Sequence, residues 1–373
     1  MLRIGFDAKR AFLNNTGLGN YSRSVIESLS LYFPGNSYLL YTTKLKDNNR
    51  TKGLLNKENI SIRTPKSPFL KSWWRSRFVV RQLKKDGVNI YHGLSHELPI
   101  GIQKTGIKTV VTIHDLIFLR YPQYYKPADR KIYKLKFRNA CKHSDKIIAI
   151  SEQTKRDIIH FFGTDSSKIE VVYQSCDASF SEKRNEENLS CIKTKYQLPD
   201  DFILNVGTIE ERKNALLIAK ALKQTTSEIK LILIGKETKY AAQLKSFLKQ
   251  EQLEHRVIFL QNVDFRDLPA IYQLAKVFVY PSAFEGFGIP VLEALYSGTP
   301  VIAATGSCLE EAGGPDSIYI SPDDETALAK AIDKILNDTA LQTKMTEEGK
   351  MYASRFTEEA HARNIMKVYE SLV

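Results

Sequence analysis

The chain has 373 residues, of which 43% are hydrophobic, 26% charged and 10% aromatic. This length favours two domains of roughly 150 to 200 residues, and the composition excludes a disordered chain, which would be far less hydrophobic. The four cysteines are scattered, which argues against a disulfide framework or a zinc site and favours a reducing cytoplasm. No run approaches the roughly 18 apolar residues of a membrane-spanning helix, and the N-terminus lacks the apolar segment of a signal peptide.

The positive charge is concentrated in the first half of the chain. Residues 1–173 contain 31 Lys and Arg against 13 Asp and Glu, a net charge of +18, whereas residues 174–373 have a net charge of −6. The first half is therefore expected to face an anionic partner. Composition alone leaves a phospholipid surface, a phosphorylated substrate and a nucleic acid open.

Short β-branched runs alternate with amphipathic segments in the first half. Strands are predicted at Leu2–Phe6, Tyr38–Thr42, Val88–His92, Lys108–Ile113, Lys146–Ile150 and Glu170–Tyr173. Helices are predicted between them at Asn20–Phe33, Ser72–Lys85, Ala128–Cys141 and Glu152–Phe162. This alternation is typical of a doubly wound parallel sheet.

The alternation stops in a polar segment and then resumes. We predict a linker at residues 176–199, with Asn185–Lys195 as an alternative short helix, between domains at 1–175 and 200–356. The second domain is another α/β unit, and the chain beyond Asp323 is helical. Its strands are predicted at Phe202–Val206, Lys230–Ile234, Val257–Leu260, Val277–Tyr280, Pro300–Ala303 and Ser317–Ile320.

One loop of the second domain carries two glutamates. A predicted strand ends at Tyr280, Glu285 lies in a glycine-bearing loop, and a helix starting near Ile289 carries Glu293. Parallel sheets bind ligands at the carboxyl ends of their strands, and amides at a helix N-terminus favour phosphate. Carboxylates accept hydrogen bonds from the vicinal hydroxyls of sugars and riboses. The alternative is that Glu293 only offsets the helix dipole.

A second loop presents two adjacent cations. A predicted strand ends at Gly207 and a helix begins near Asn214, so Arg212 and Lys213 lie at a strand's carboxyl end. An arginine fork and a lysine charge suit a diphosphate. The alternative is a solvated basic pair.

The first domain offers weaker candidates. Thr16–Tyr21 is a glycine loop that opens a helix, for which turn chemistry is an alternative explanation. His114 and Asp115 follow the strand Lys108–Ile113, where a structural histidine is the alternative. Both candidates lie at carboxyl ends of predicted strands.

Together these strings resemble the retaining glycosyltransferases of family 4. Glu285-Gly-Phe-Gly, followed by Pro-x-x-Glu-Ala, resembles the E-x7-E signature of that family, and Gly207–Asn214 resembles its donor-diphosphate clamp. Thr16–Tyr21 is similar to its G-[IL]-G-x-Y loop, and His114-Asp115 to its His-Asp pair beside the transferred sugar. The motifs occur in family order and span nearly the whole chain.

The resemblance implies the GT-B fold, in which two Rossmann-like, doubly wound domains face a central cleft. The first domain would offer the acceptor, the second would hold the nucleotide-sugar donor, and residues 357–373 would pack back on the first. The implied reaction moves a hexose from a UDP- or GDP-linked sugar to a glycan or lipid-linked acceptor, with retention, in polysaccharide synthesis. No cofactor or metal is implied, and the chain contains no Asp-x-Asp.

The resemblance also implies roles for individual residues. Glu293 would hold the ribose, Glu285 the transferred sugar, and Asp115 would lie on the acceptor side. The implied catalytic residues are Glu285, His114, Arg212 and Lys213. The implied donor-binding residues are Gly17, Leu18, Gly19, Arg212, Lys213, Glu285, Gly286, Phe287, Gly288, Ile289 and Glu293.

Two other functions remain as alternatives. A GT-B epimerase acting on a nucleotide sugar would share the fold but need no acceptor. A basic nucleic-acid-binding protein would explain the charge of the first half, but no DNA- or RNA-binding motif is visible, so no nucleic acid partner is expected.

Residues Pro68–Lys85 form a distinct segment, with both tryptophans and six Lys or Arg but no acidic residue. This composition is typical of a helix that lies on an anionic membrane surface. Trp73, Trp74, Phe78 and Leu83 can also form one stripe that faces the domain core. The first interpretation places the enzyme peripherally on the inner face of the membrane, and the sequence leaves both open.

Overall fold

The computed structural model describes residues 1–45, 50–65 and 71–373, except for the side chain of Ser72. The chain divides into two compact units: Met1–Gln174 with Glu358–Val373 form the first, and Ser175–Thr357 form the second. No helix among the described residues is both long and apolar enough to cross a membrane.

The first unit is built on a seven-stranded parallel sheet of order β3-β2-β1-β4-β5-β6-β7. Its strands are β1 (Arg3–Asp7), β2 (Ser37–Tyr41), β3 (Ile60–Arg63), β4 (Ile90–Gly93), β5 (Lys108–Ile113), β6 (Lys146–Ala149) and β7 (Ile169–Val171). Residues of β1, β4 and β5 are buried almost throughout, which explains why these strands are nearly continuous apolar runs.

The second unit is built on a six-stranded parallel sheet of order β10-β9-β8-β11-β12-β13. Its strands are β8 (Phe202–Val206), β9 (Lys230–Ile234), β10 (Val257–Leu260), β11 (Val277–Tyr280), β12 (Val301–Ala304) and β13 (Ile318–Ile320). Each unit is therefore a Rossmann-like α/β domain.

Helices connect most of the strands in both units, and three further helices follow the last strand. They are α1 (Lys9–Leu13), α2 (Gly17–Tyr32), α3 (Lys52–Leu55), α4 (Lys71–Trp73), α5 (Val79–Lys85), α6 (Ile117–Arg120), α7 (Pro127–His143), α8 (Glu152–Phe162), α9 (Glu186–Tyr196), α10 (Ala215–Leu222), α11 (Tyr240–Gln250), α12 (Leu268–Leu274), α13 (Ile289–Ser297), α14 (Leu309–Gly313), α15 (Glu325–Asn337), α16 (Thr339–Ala353) and α17 (Glu358–Glu370).

The strand orders locate the candidate sites. In the first sheet the winding direction reverses between β1 and β4, and in the second it reverses between β8 and β11. Open parallel sheets bind ligands at such switch points, beyond the carboxyl ends of the strands. The stretches that follow β1, β8 and β11 carry the predicted site residues, apart from His114 and Asp115, which follow β5, the neighbour of β4.

The segment predicted as a linker is structured. Residues 176–199 group with the second unit, and they contain α9. The side chain of Asn185 caps this helix by accepting the N–H of Asn188. The polar composition of the segment reflects a surface helix with one buried residue, Ile192.

The last helix groups with the first unit. α17 packs on α2, and its Tyr369 hydroxyl lies 2.7 Å from Nδ1 of His92 on β4. Nε2 of the same imidazole lies 2.8 Å from the hydroxyl of Thr112 on β5. A buried polar network thus ties the end of the chain to the first sheet.

The tryptophan segment does not form the single stripe that its spacing indicated. A π-helical turn, Trp74–Phe78, joins α4 to α5 and shifts the helical register, so Trp73 is 61% exposed while Trp74 lies against Tyr41 with ring centroids 6.4 Å apart. Phe78 is exposed and Leu83 is buried. The segment therefore has both a core face and an exposed aromatic face, and its residues 68–70 lie outside the described part of the chain.

Candidate functional site

Arg212, Lys213 and Glu285 meet beyond the carboxyl ends of β8 and β11. Oε1 of Glu285 lies 2.8 Å from Nη1 of Arg212 and accepts a 2.5 Å hydrogen bond from Nζ of Lys213. The same oxygen accepts hydrogen bonds from the hydroxyls of Ser282, at 2.6 Å, and Tyr280, at 3.3 Å. One carboxylate oxygen thus lies within hydrogen-bonding distance of both cations and two hydroxyls.

Burial makes the charges of this cluster interdependent. Burial favours the neutral form of Glu285, but Lys213 and Arg212 outweigh it and lower its pKa to about 2. Burial also opposes the charge on Arg212, yet Glu285 and Glu210 raise the pKa of its guanidinium above the usual value. For Lys213 the loss of water prevails over the attraction of Glu285, so the pKa of its ammonium is lowered. An additional anion beside Lys213 would therefore be stabilising.

The two loops that carry these residues are tied together. The N–H of Ala283 donates to the carbonyl of Arg212 at 2.9 Å, and the hydroxyl of Ser282, whose proton goes to Glu285, lies 3.1 Å from the same carbonyl oxygen. The thiol of Cys308 lies 3.0 Å from the carbonyl oxygens of both Glu285 and Phe287. These bonds hold Glu285 and the basic pair in one fixed arrangement.

The glycine loop before α13 brings backbone amides to the same strand end. Gly288 has φ +133°, and a Cβ there would lie 2.9 Å from Leu309, so this position requires glycine. Pro290 stands at the first turn of α13, whose N-terminus has no side-chain cap. The side chain of Phe287 is buried 5.8 Å from the ring of Phe356, which leaves only its backbone to face a ligand.

Glu293 occupies a different environment on α13. Its Oε2 accepts a 2.8 Å hydrogen bond from the hydroxyl of Tyr272. Burial raises the pKa of Glu293 to about 7, the bond from Tyr272 opposes this rise, and Asp177 adds to it. The two glutamates are therefore ionised to different extents near neutral pH.

His114 lies at the carboxyl end of β5 in the first unit. It is 5% exposed, and its Nε2 lies 2.9 Å from the carbonyl oxygen of Leu94, which makes Nε2 the protonated nitrogen of the neutral ring. Burial lowers its pKa to about 4, so the ring is neutral at pH 7. Its neighbour Asp115 accepts the N–H of Ile117 at 3.1 Å and thereby orders the turn that begins α6.

The glycine loop of the first unit forms the first turn of α2. A Cβ on Gly19 would lie 1.9 Å from the carbonyl oxygen of Asn14, whereas a Cβ on Gly17 would meet nothing within 4 Å. Only Gly19 is therefore required by close packing. Tyr21, one turn further along, places its ring edge-on to His114 with centroids 4.5 Å apart, so the start of α2 lies beside His114.

Comparison with known proteins identifies the family. A profile described as Glycosyl transferases group 1 matches residues 192–352, and one described as Glycosyltransferase Family 4 matches residues 41–180. The O-antigen chain mannosyltransferase RfbU of Salmonella typhimurium is 31% identical over 266 residues, which cover 70% of this chain and 68% of that protein. The chain belongs to the family 4 glycosyltransferases.

A second relative agrees with this glycosyltransferase in length, and a solved structure agrees with it in fold. O-antigen chain mannosyltransferase B of Escherichia coli is 28% identical over 374 residues, which cover 96% of each chain. The crystal structure of Anabaena Alr3699/HepE in complex with UDP and glucose superposes with a TM-score of 0.76 at 18% identity, with 100% of each chain covered. The predicted GT-B fold class, with two Rossmann-like domains, is confirmed.

Several residues of the candidate site were not predicted from the sequence. Tyr280 and Ser282 lie within the glycine-loop string, but nothing in their spacing indicates that their hydroxyls reach Glu285. His96 follows β4 and lies edge-on to His114 with ring centroids 5.0 Å apart. The sequence did contain a signal for His96: like His114, it follows a strand, and these two strands, β4 and β5, are paired in the sheet.

Proposed function

We propose that this glycosyltransferase moves a mannosyl residue from a nucleoside-diphosphate donor to a glycan or lipid-linked acceptor in polysaccharide synthesis, with retention of configuration. The observation that carries the proposal is the cluster of Arg212, Lys213 and Glu285, in which two largely buried cations share one carboxylate oxygen beyond the carboxyl ends of β8 and β11. The names of the O-antigen mannosyltransferase relatives support mannose and polysaccharide synthesis. The nucleotide is UDP or GDP.

The leaving diphosphate binds at the basic pair. Negative charge grows on the phosphate oxygens as the sugar departs, and Lys213 and Arg212 offer positive charge at fixed positions. The free end of α13 adds backbone N–H groups at Gly288 and Ile289. The two side chains and these amides stabilise the leaving group without a metal ion.

The two glutamates bind different parts of the donor. Glu285, held ionised by Lys213, accepts hydrogen bonds from hydroxyls of the transferred sugar. Glu293, oriented by Tyr272, accepts hydrogen bonds from the ribose hydroxyls. Each carboxylate then meets a part of the donor that carries no charge of its own.

The acceptor attacks on the face from which the diphosphate leaves, with that diphosphate as the base. His114 positions the transferred sugar and forms no covalent bond to it. Its burial and low pKa support this role, because a neutral ring with Nε2 committed to Leu94 offers Nδ1 as a hydrogen-bond acceptor.

The first unit also carries a surface suited to an anionic membrane. Glu97 pairs with Arg75 and with Lys136 of α7, both at 2.9 Å, so residues 71–85 lie beside α7. The two segments expose apolar side chains among Lys and Arg, namely Trp73, Phe78, Ile132 and Leu135. We propose that this face rests on an anionic bilayer and brings the enzyme to a lipid-linked acceptor.

Vesicle sedimentation tests the membrane surface. The wild-type enzyme is expected to sediment with phosphatidylglycerol vesicles and not with phosphatidylcholine vesicles, and the double variant W73A/L135A is expected to lose most of this binding. Leu31→Ala removes a side chain that is also exposed in the first unit and serves as the control. Equal binding by the double variant, or no binding by the wild type, would contradict the surface.

A screen of nucleotide sugars tests the reaction. A donor at 100 times its dissociation constant is expected to stabilise the protein by about 2.7 kcal/mol. The stabilising donor is then incubated with a lipid-linked acceptor, and NMR reads the configuration of the new linkage. An inverted linkage contradicts retention, and isomerised sugar in the absence of acceptor indicates an epimerase.

A further inference from the structure

His96 has a backbone conformation that residues other than glycine rarely adopt. Its φ of +63° lies in the left-handed region, in the turn that follows β4. Its N–H donates to the carbonyl of Thr112 on β5 at 3.0 Å. The same turn brings the carbonyl oxygen of Glu97 onto Gly93, where a Cβ would lie 2.1 Å from it. Strained turns persist where the surrounding structure enforces them, and they are frequent at ligand sites. The side chain that this turn presents is therefore a candidate for ligand binding.

The imidazole of His96 is enclosed between two other rings. It stacks on Phe137 of α7, with centroids 4.2 Å and planes 12° apart, and it lies edge-on to His114. The residue is 9% exposed. Burial, His114 and Arg10 lower the pKa of the His96 imidazole well below its usual value, so the ring is neutral at pH 7. A neutral imidazole carries one N–H, and the position of that proton decides what the ring can bind.

The two nitrogens of His96 differ in their partners. Nδ1 accepts the backbone N–H of His114 at 3.4 Å, so the proton of the neutral ring is on Nε2. Nε2 is not enclosed, and among the described residues no group accepts its N–H. A side chain that is nine-tenths buried therefore presents one unpaired N–H to solvent. This N–H is available to a ligand from outside the chain.

His92, four residues earlier, differs from His96 in this respect. It is fully buried on β4, and both of its nitrogens have partners within the first unit. Nδ1 lies 2.7 Å from the hydroxyl of Tyr369, and Nε2 lies 2.8 Å from the hydroxyl of Thr112. The role of His92 is therefore structural, which makes it a matched control for His96.

His96 and His114 offer complementary functions. Nε2 of His114 is committed to the carbonyl of Leu94, which leaves its Nδ1 as an acceptor, whereas His96 leaves a donor. A hydroxyl group both donates and accepts, so neighbouring sugar hydroxyls can bind to both rings. His96 stacks on α7, the helix that carries Ile132 and Leu135 of the proposed membrane surface. This contact favours the lipid-linked acceptor over the transferred sugar as the ligand of His96.

We propose that His96 is an acceptor-binding residue whose Nε2–H donates a hydrogen bond to a hydroxyl oxygen of the acceptor sugar. All the contacts that hold His96 lie within the first unit. The bond positions the acceptor and transfers no proton. This inference rests on the proposed function, in which His114 positions the transferred sugar.

The experiment compares H96N, H96Q and H92N with the wild type. Asparagine tolerates the left-handed conformation and places an amide oxygen near the position of Nδ1, so H96N keeps the contact to His114 and loses the outward N–H. Glutamine places an amide N–H near the position of Nε2, so H96Q restores a donor. H92N removes a buried imidazole of the same unit and controls for a loss of packing.

Transfer kinetics use GDP-mannose or UDP-glucose as donor and octyl glycosides of mannose, glucose, galactose and N-acetylglucosamine as acceptors, with monodeoxy analogues of the best acceptor. H96N is expected to raise the acceptor KM by about tenfold or more with the donor KM within about twofold, and H96Q to recover part of the loss. One deoxy analogue should be a poorer acceptor for the wild type but not for H96N, because H96N already lacks the hydrogen bond. H92N should lower the melting temperature and leave the acceptor KM within about twofold.

Three kinetic results would overturn the inference while the proposed function stands. They are an unchanged acceptor KM in H96N, a donor KM raised as much as the acceptor KM, and deoxy penalties in H96N equal to those in the wild type. The second result would place the transferred sugar, and not the acceptor, at His96. A wild type that a donor stabilises but that uses none of the octyl glycosides also overturns the inference.

Two further measurements keep the test decisive. If H96N does not fold, the ¹⁵N resonance of Nε2 of His96 is followed in the wild type as the best octyl glycoside is added. The resonance is expected to shift, and an unchanged resonance at saturation overturns the inference. If the wild type binds neither GDP-mannose nor UDP-glucose in calorimetric titration, the proposed function itself fails.

Discussion

Two clusters at the carboxyl ends of the sheets differ in charge. In the second unit, Arg212 and Lys213 share one oxygen of the ionised carboxylate of Glu285. In the first unit, His114 lies between the rings of Tyr21 and His96, and burial keeps both imidazoles neutral by lowering their pKa values. The ionic cluster suits the charged part of a donor, and the neutral rings suit hydroxyl groups. The same architecture thus supports two kinds of recognition.

The difference also separates two kinds of mutational effect. In the Glu285 cluster, removal of one group leaves its partner without its counter-charge, so the loss includes the cost of that partner. In the cluster of neutral rings around His114, removal of a ring mainly opens space and loosens the geometry. We therefore expect the largest effects in the second unit.

The largest effect is expected from the basic pair. Lys213→Ala or Arg212→Ala should lower kcat by roughly 100-fold or more, because each removes a contact that strengthens as the diphosphate leaves. Lys223→Ala removes a cation of an exposed pair with Glu251 and is the control, for which kcat should be unchanged. Steady-state kinetics and melting temperatures check this. Near-normal turnover in both site variants would refute the diphosphate clamp.

The next effect distinguishes the two glutamates. Glu293→Ala should weaken free nucleoside diphosphate and intact donor alike, by about 1 to 3 kcal/mol, since both ligands contain the ribose. Glu285→Ala should weaken intact donor and leave free diphosphate unchanged or tighter, because it releases Lys213 and Arg212 from their carboxylate. Calorimetric titration of both ligands into both variants decides it. Equal losses for diphosphate, or the reverse pattern, would show that the roles are wrongly assigned.

Much of the architecture is predictable from the sequence because buried parallel strands are short apolar runs. The strand Lys108–Ile113 and the helix Glu152–Phe162 have the predicted limits. β3 (Ile60–Arg63) escaped prediction because it is an edge strand with no fully buried residue. The π-helical turn at Trp74–Phe78 was not predicted, because amino-acid composition does not reveal a change of register within a helix.

The candidate site is predictable only where local signals coincide. Glycines, a strand end and a helix start all point to the loop that holds Glu285, and to the basic pair before α10. The contacts among these residues are tertiary, so the sequence carries no trace of the bond from Tyr272 to Glu293.

A smaller effect concerns the pH dependence of stability. The pKa of Glu293 is raised to about 7, by burial first and by Asp177, against the hydrogen bond from Tyr272. The folded state therefore holds a proton that the unfolded state releases near 4.5, and the contribution of Glu293 to stability falls as pH rises from 4.5 to 7.

Glu293→Gln removes the buried ionisable group, and with it the loss of stability at high pH, and so tests the raised pKa of Glu293. At pH 8 the variant is expected to melt about 2–4 °C above the wild type, which corresponds to roughly 1 kcal/mol, and at pH 4.5 the difference should be much smaller. Glu285→Gln should lose stability at both pH values, since the pKa of Glu285 is about 2. Parallel melting curves for Glu293→Gln and wild type across this range would contradict the raised pKa.

The smallest effect is expected from a chelator. The donor diphosphate needs positive charge in the transition state, and Arg212 and Lys213 place two cationic groups at the end of β8 with their positions fixed by Glu285. Because these two groups supply that charge, EDTA should leave kcat/KM within about twofold. Added Mg²⁺ should not restore activity to Lys213→Ala, because the single carboxylate of Glu285 is too small a ligand set to fix an octahedral ion where the ammonium was. Activity that vanishes with EDTA and returns with Mg²⁺ or Mn²⁺ would show that the basic pair does not act alone on the diphosphate.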